Sequence, residues 1–215
     1  ELAAASAQIT AMRGARASHV LLGCGPTEAT RLLPMAVNRL ARTHPLLQIT
    51  VLYGLNEALM PWVKSGEIEF ALSSVPSMAS DPDLVHERIF VERAAVIARA
   101  GHPLTERRTV RAADLLAYPW CLARRRELER RALDELFLAN DLKPPEARIE
   151  TTSTVLMKSV VMMSDTLTFL PRELIYWEER AGTLAPIAVS GSDWSRHVGI
   201  SCKARAVATP ASGIV

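Results

Sequence analysis

Short apolar strands alternate with amphipathic helices along this chain, and that alternation restricts the possible folds more than any other feature. Residues 19–24 are almost entirely apolar, as in a buried strand, whereas residues 47–53 alternate apolar and polar side chains, as in a half-buried strand. Between these strands, Leu33, Val37 and Leu40 recur at helical spacing. Strands that alternate with helices predict parallel β-α-β units, and therefore an α/β fold.

The same alternation continues along the rest of the chain. Further strands are predicted at 68–72, 85–90, 94–100, 120–123, 148–152, 166–170, 184–189 and 198–202. Helices are predicted at 1–12, 28–43, 57–65, 112–116, 128–140, 153–163 and 172–181. Two series of β-α-β units fit a length of 215 residues better than one continuous sheet does.

The composition is that of a globular chain without a membrane span. Hydrophobic residues make up 49% and charged residues 22%, which allows a sizeable core and excludes disordered and coiled-coil classes. The longest apolar stretch, 115–123, contains Pro119 and is far shorter than the roughly 20 residues of a membrane helix. Residues 1–17 are alanine-rich and polar, so no signal sequence is expected at the start.

The charge balance argues against DNA binding by this segment alone. The 25 basic residues barely exceed the 23 acidic ones, whereas neutralising phosphates requires a strong basic excess. The basic run 124–126, followed by Arg130 and Arg131, is interleaved with glutamates. We interpret it as a solvated helix face, with anion contact as the alternative.

The cysteines and histidines indicate neither a disulfide framework nor a metal site. Cys24, Cys121 and Cys202 are far apart, so we expect a reduced compartment and cysteines packed as small hydrophobic residues. A reactive thiol at Cys24, between two glycines, is the alternative. The five histidines lack metal-ligand spacing, and no nucleophile-elbow, P-loop or zinc-protease motif occurs. We therefore expect no metal, no cofactor and no enzymatic activity.

Polar or small residues follow several predicted strands, where open α/β sheets bind their ligands. These junctions lie at 25–28, 73–74, 122–124 and 152–154. Helix N-termini at such junctions offer free N–H groups and the positive end of the helix dipole.

The residues at these junctions also have purely structural interpretations. Thr27 is placed to cap the following helix, which contributes on the order of 1 kcal/mol. The charge of Glu28 would repel an anion if it pointed inward. Arg124 would bind a carboxylate bidentately from the end of its strand. For Phe169, in a buried strand, core packing is the default interpretation.

Five segments then occur in a characteristic order. They are 19–23 (HVLLG) before a helix with Leu33-Pro34, 43–45 (THP) before the alternating strand, 59–72, 101–104 (GHPL) and 114–120 (DLLAYPW). Together they resemble the effector-binding domain of LysR-type transcriptional regulators, over about residues 15–210. Residues 153–171 are similar to the helix and strand that close the second subdomain of that family.

Two positions depart from the family pattern. Glu69 stands where the family usually has aspartate, a conservative change. Ser164-Asp165-Thr166 stands where the family usually has a Gly-x-Gly pair. Side chains therefore occupy positions near Phe169 where the backbone would otherwise be bare.

The resemblance implies a type 2 periplasmic-binding-protein fold: two Rossmann-like subdomains joined by two crossover strands, with a small molecule in the cleft. Subdomain I would comprise 15–91 and 195–215, and subdomain II would comprise 92–190. Residues 1–14 would be the end of a linker helix that follows a winged helix-turn-helix outside these 215 residues.

The resemblance further implies the cytoplasmic effector-sensing domain of a DNA-binding transcription regulator. Its effector would be a small metabolite, such as a carboxylate or a sugar derivative. The effector-binding residues would be Pro26, Thr27, Glu28, Ser73, Ser74, Ala123, Arg124, Ser153, Thr154 and Phe169. DNA would be bound only through the missing N-terminal domain. The alternatives are an extracytoplasmic solute-binding protein of the same fold and a small α/β enzyme.

A homodimer is expected from the resemblance, with a tetramer as an option for the full-length protein. In the family, the first helix and second strand of one subunit pack against subdomain II of the other. The expected dimer contacts are Leu32, Met35, Ala36, Arg39, Leu40, Gln48, Thr50 and Leu52.

Overall fold

The fold is known from a computed structural model, which describes residues 19–76 and 81–204. The predicted helix 1–12 and the predicted linker-helix segment 1–14 lie outside the described residues.

The chain forms two compact units. The described residues up to Glu92 and from Arg196 onward form the first unit, and Arg93–Ser195 form the second. The exact subdomain boundaries inferred from the family resemblance stay a prediction.

Strands and helices alternate through both units, as the sequence predicts. The strands are β1 (His19–Cys24), β2 (Gln48–Tyr53), β3 (Phe70–Val75), β4 (Leu84–Arg99), β5 (Cys121–Leu122), β6 (Ile149–Glu150), β7 (Thr168–Pro171), β8 (Leu184–Ile187) and β9 (Ser195–Lys203). The α-helices are α1 (Pro26–Thr30), α2 (Leu32–Thr43), α3 (Asn56–Ser65), α4 (Leu128–Leu138), α5 (Thr154–Met162) and α6 (Tyr176–Arg180). Two 3-10 helices span Ala112–Ala117 and Arg172–Ile175.

The sheet of the first unit has a parallel part and an antiparallel part. β1 pairs in parallel with both β2 and β3, whereas β9 pairs antiparallel with β3 and also lies next to β4. The apolar face of α2, with Leu33, Ala36 and Leu40, packs in one core cluster with residues of β1, β3 and β9. Because β1, β2 and β3 are parallel, their carboxyl ends lie at one edge of the sheet.

The first helical region is interrupted, where the sequence predicts one continuous helix over 28–43. α1 ends at Thr30, and α2 begins at Leu32 after Arg31, whose φ is −135°. Pro34 explains the break, because proline lacks an N–H for the carbonyl of Thr30 and its ring crowds that carbonyl. Pro34 is tolerated in the first turn of α2, where no intrahelical N–H bond is required.

A single long strand replaces two predicted ones. The sequence predicts separate strands at 85–90 and 94–100, but β4 runs without interruption over Leu84–Arg99. Its residue Glu92 is the last of the first unit, and Arg93 is the first of the second. β4 is therefore one of the two places where a strand carries the chain across the boundary.

The second unit is built around the later part of β4. This part pairs antiparallel with β7 and with β8, and the short strands β5 and β6 pair in parallel. A core cluster contains Trp120, Leu133, Phe137 and Phe169. The ring of Trp120 meets that of Phe137 edge-on at a centroid distance of 6.2 Å.

One residue of the basic run is buried rather than solvated. Arg130 is 2% exposed, although the sequence places it on a solvated helix face. Its Nε donates to Asp134 Oδ1 at 2.9 Å, and its Nη2 donates to the carbonyl of Pro145 at 2.8 Å. The interpretation of Arg130 is therefore corrected: it holds the residues after α4 against the helix.

Helices in the described ranges are all too short or too polar to cross a lipid bilayer.

Candidate functional site

In the first unit, the residues predicted to bind effector follow the ends of two neighbouring parallel strands. Pro26, Thr27 and Glu28 open α1 directly after β1, and Ser73 and Ser74 lie near the end of β3. The N–H of Gly25 donates to the carbonyl of Leu72 at 3.1 Å, which ties the two strand ends together. The structure therefore brings these five predicted residues to one edge of the sheet.

The role of Thr27 differs from the predicted helix cap. Gly25 is the N-cap residue of α1, Pro26 takes the first helical position, and no side chain caps this helix. Proline favours that position because its missing N–H would have no intrahelical partner. Thr27 is consequently inside the helix and 3% exposed, and its Oγ1 accepts a hydrogen bond of 3.0 Å from Arg196 Nη2.

Arg196 is in turn held by a buried carboxylate. Its Nε donates to Glu92 Oε2 at 2.7 Å, and the side chains of Arg196 and Glu92 are 16% and 0% exposed. The guanidinium thus contacts β4 and α1 at once. The planar guanidinium group carries several N–H donors that point in different directions, so one arginine can make both contacts.

Glu28 is buried at the start of α1. It is 2% exposed, and its Oε2 would lie only 2.5 Å from a Cβ placed on Gly25. The carboxylate therefore lies close against Gly25, and a side chain at that position would require the end of the Glu28 side chain to move. Burial and the charge of Glu28 together raise the pKa of the Cys24 thiol to about 11. A thiol with that pKa is a poor nucleophile near neutral pH.

The two serines of β3 have different surroundings. Ser73 is 2% exposed and pairs in register with Gly199 of β9. Ser74 is held by Asn56, whose Nδ2 donates to the Ser74 carbonyl at 2.8 Å and to its Oγ at 3.0 Å. Asn56 begins α3, after β2, so all three parallel strands contribute a polar residue at this edge.

In the second unit, Ala123 and Arg124 follow β5, and Ser153 and Thr154 follow β6. These two short strands are parallel, and the N–H of Thr151 donates to the carbonyl of Leu122 at 3.0 Å. The side chain of Arg124 is exposed. Two further predicted sites therefore share one edge.

Ser153 caps α5, which begins one residue later than the predicted helix 153–163. Its Oγ accepts a hydrogen bond of 3.2 Å from the N–H of Leu156. Thr154 is the first residue of the helix and is partly buried. Because the Ser153 hydroxyl is already engaged as a cap, any ligand contact there would be shared with the helix.

Phe169 is a core residue with one aromatic neighbour of interest. It is 4% exposed within β7, which agrees with core packing as the default interpretation. Its ring centroid lies 6.4 Å from that of Trp194, in an edge-on arrangement. Trp194 directly precedes β9.

The residues predicted to form dimer contacts separate into buried and exposed groups. Leu32, Ala36 and Leu40 are 9%, 0% and 3% exposed. They form the apolar face of α2 in the core, so the prediction that they meet a partner subunit is corrected. Met35, Arg39, Gln48 and Thr50 are exposed and Leu52 is partly exposed, and for these five the contact stays a prediction.

Sequence reasoning missed the residues that organise the first-unit site: Asn56, Glu92 and Arg196. Glu92 and Arg196 lie 104 positions apart, and no local spacing indicates that they meet. One feature of the sequence could have indicated the pair: each of the two strands expected to cross between the subdomains contains a charged residue. A buried charge is costly unless it is paired, so two opposite charges in such strands are candidates for an ion pair.

Metal binding and thiol chemistry find no support in the described ranges. Within residues 19–76 and 81–204, no three side chains of His, Cys, Asp and Glu are grouped as metal ligands would be. Cys24, Cys121 and Cys202 are buried and free, which confirms their predicted packing as small hydrophobic residues.

Two compact α/β units, with polar residues at the carboxyl ends of their parallel strands, define a ligand-binding domain of the periplasmic-binding-protein type. The family model described as "LysR substrate binding domain" matches residues 13–213. The chain therefore belongs to the LysR substrate-binding domain family, the effector-binding part of LysR-type transcriptional regulators. The predicted fold class and family are confirmed.

Individual relatives are similar over most of the chain. The HTH-type transcriptional regulator GalR of Pseudomonas putida is 26% identical over 214 residues, 99% of this chain and 53% of that protein. The HTH-type transcriptional regulator GbpR of Azospirillum brasilense is 30% identical over 156 residues, 72% of this chain and 46% of that protein. The chain thus spans about half the length of these curated relatives.

A solved structure shows the same fold. The regulatory domain of CcmR from Synechocystis PCC6803, in complex with 2-PG, superposes with a TM-score of 0.74 at 17% identity. The match covers 86% of this chain and 88% of that one.

Proposed function

We propose that this chain senses a small metabolite for a LysR-type regulator that binds DNA through an N-terminal helix-turn-helix. The observation that carries the proposal is the placement of nine candidate residues at or just after the ends of parallel strands, in both units. Ligands of open α/β sheets bind at such ends. Binding would favour one conformation of the domain through differential affinity, and the regulator would respond to that shift.

The candidate effector residues are those inferred from the family resemblance, with two additions. Arg196 and Asn56 contact Thr27 and Ser74 directly, so we add them to the proposed site. Binding without turnover is proposed, and the raised pKa of Cys24 supports it because this thiol is not activated as a nucleophile.

The charges at the first-unit edge bear on the class of effector. Glu28 places a buried carboxylate in the first turn of α1, and Arg196 is already paired with Glu92. We therefore propose that this edge accepts hydrogen bonds from hydroxyl groups of the effector, as a sugar derivative provides. Any effector carboxylate would be bound by Arg124, whose side chain is exposed.

We also propose a cytoplasmic homodimer whose contacts include the exposed side of α2 and β2. Met35, Val51 and Tyr53 are 41%, 39% and 58% exposed there. Apolar side chains grouped on one surface are typical of subunit interfaces.

A thermal-shift screen tests the effector site. The panel contains D-galactose, D-galactonate, D-galactosamine, shikimate and benzoate, which vary charge and hydroxyl content. A compound at about 100 times its Kd stabilises by ~2.7 kcal/mol, so a true effector raises the Tm clearly. Thr27→Val and Arg124→Ala should reduce that shift, whereas Arg108→Ala, at an exposed arginine of the second unit, should not. Unchanged shifts in the first two variants would show that the site assignment is wrong.

A further inference from the structure

Two residues that are separated by one position contact a proposed effector residue in different units. Trp194, in the second unit, packs edge-on against Phe169 at a centroid distance of 6.4 Å. Arg196, in the first unit, donates to Thr27 Oγ1 at 3.0 Å. Only Ser195, which is exposed, separates them. We call residues 194–196 the relay segment.

The relay segment is attached to β4 on both sides of the boundary between the units. In the first unit, Arg196 Nε donates to Glu92 Oε2 at 2.7 Å. In the second unit, the N–H of Ala94 donates to the carbonyl of Trp194 at 3.4 Å. Glu92 is the last residue of the first unit on β4, and Arg196 is the first residue of that unit on β9. The ion pair therefore lies at the boundary on both strands.

The ion pair restricts how Arg196 can move. The Glu92 side chain is fully buried and that of Arg196 is 16% exposed, so separating them would break an ion pair that is held away from water. Nε is used by Glu92 and Nη2 by Thr27, and the rigid plane of the guanidinium fixes the two contacts relative to each other. A displacement of the Thr27 hydroxyl must therefore move Arg196 or break one of its contacts.

We propose that Arg196 is a positioning residue that transmits a change at Thr27 through the relay segment to Trp194 and Phe169. An effector that engages the Thr27 hydroxyl competes with the Arg196 hydrogen bond. The resulting shift of the guanidinium passes along two peptide units to Trp194. The inference rests on the proposed function, because Thr27 and Phe169 are effector residues only under that proposal.

Fluorine NMR of the protein labelled with 5-fluorotryptophan tests the relay without any ligand. The chain has 4 tryptophans, and Trp→Phe variants assign their resonances. Thr27→Val and Glu92→Gln are each made in the wild-type protein and in the Arg196→Lys variant. Lysine keeps the positive charge but lacks the planar guanidinium that contacts both partners. Arg172→Gln is the control, because it removes an exposed ion pair with Glu179 in the second unit.

Thr27→Val and Glu92→Gln should each shift the Trp194 resonance beyond its linewidth. In the Arg196→Lys background, Thr27→Val should cause no additional shift. The resonance of Trp120, in the core of the second unit, should stay in place and shows that the variants fold. If Glu92→Gln fails to fold, the two Thr27→Val comparisons decide alone.

Two results would overturn the relay. The first is a Trp194 resonance that does not move in folded Thr27→Val. The second is a shift caused by Thr27→Val that is equally large in the wild-type protein and in the Arg196→Lys variant. Because no ligand is present, a failure to find an effector leaves this experiment unaffected. The two proposals can therefore fail independently.

Discussion

Gly199 of β9 lies directly against the backbone carbonyl of Glu87 in β4: a Cβ on Gly199 would come within 2.0 Å of the Glu87 oxygen. The obstructing atom belongs to the backbone, so it cannot move aside as a flexible side chain would. Gly199 is buried, and β9 also pairs with β3 there. The close approach of these two strands therefore requires glycine.

Gly199→Ala should destabilise the protein by about 3 kcal/mol, at the upper end of what overpacking costs. Ser195→Ala, at an exposed position of the same strand, should change stability by less than about 0.5 kcal/mol. Urea unfolding of the three proteins measures the difference. Equal midpoints for wild type and Gly199→Ala would show that β4 and β9 are further apart than described.

Asp134→Asn should cost roughly 3 kcal/mol, because it leaves the buried Arg130 guanidinium without its counterion. The side chains of Arg130 and Asp134 are 1% and 19% exposed. Arg125→Ala is the matched control, since Arg125 and its partner Glu146 are both exposed and such pairs contribute at most about 1 kcal/mol. Chemical unfolding checks both values. A loss in Asp134→Asn no greater than in Arg125→Ala would contradict the structural role of Arg130.

Alkaline pH should destabilise the wild-type protein more than Cys24→Ala. Burial and Glu28 raise the pKa of Cys24 from 9.0 to about 11. The folded state thus keeps a proton that the unfolded chain releases, so this stabilisation is complete below about pH 9 and is lost as pH rises toward 11. The difference between the two proteins should change by on the order of 2 kcal/mol over that interval. The free energies of unfolding of the two proteins, measured at several pH values across that interval, should approach each other as pH rises. A difference that does not change with pH would contradict the raised pKa of Cys24.

Met35→Glu should weaken the proposed dimer at least about tenfold, which corresponds to ~1.4 kcal/mol of association free energy. Met35 is exposed on α2, and a charge there would have to be desolvated at the interface. Glu67→Lys, at an exposed position after α3, serves as the control. Sedimentation equilibrium provides the dissociation constants. A purely monomeric wild type, or equal constants for wild type and Met35→Glu, would exclude this interface.

Local patterns in the sequence were sufficient to predict the α/β class and the strand-to-helix junctions. Residues 19–24, for example, form a strand as predicted, because the spacing of apolar residues is a property of neighbouring residues. The break at Arg31 follows from Pro34, whereas the helical spacing of apolar residues by itself predicts a continuous helix.

Contacts between residues that are far apart in the sequence could not be predicted from local patterns. The burial of Arg130 depends on the Pro145 carbonyl, and the ion pair of Glu92 with Arg196 joins strands 104 positions apart. Nor does the sequence separate the buried face of α2 from its exposed face where both carry apolar residues, as Ala36 and Met35 do. These features are set by tertiary packing.

Isothermal titration calorimetry of the most stabilising compound of the panel tests the central proposal most directly. The proposed function predicts saturable binding of one molecule per chain, weakened at least about tenfold, or ~1.4 kcal/mol, by both Thr27→Val and Arg124→Ala. Arg108→Ala should bind as wild type does. Absence of saturable binding across the panel, or affinity that is the same in all four proteins, would contradict an effector site at these strand ends.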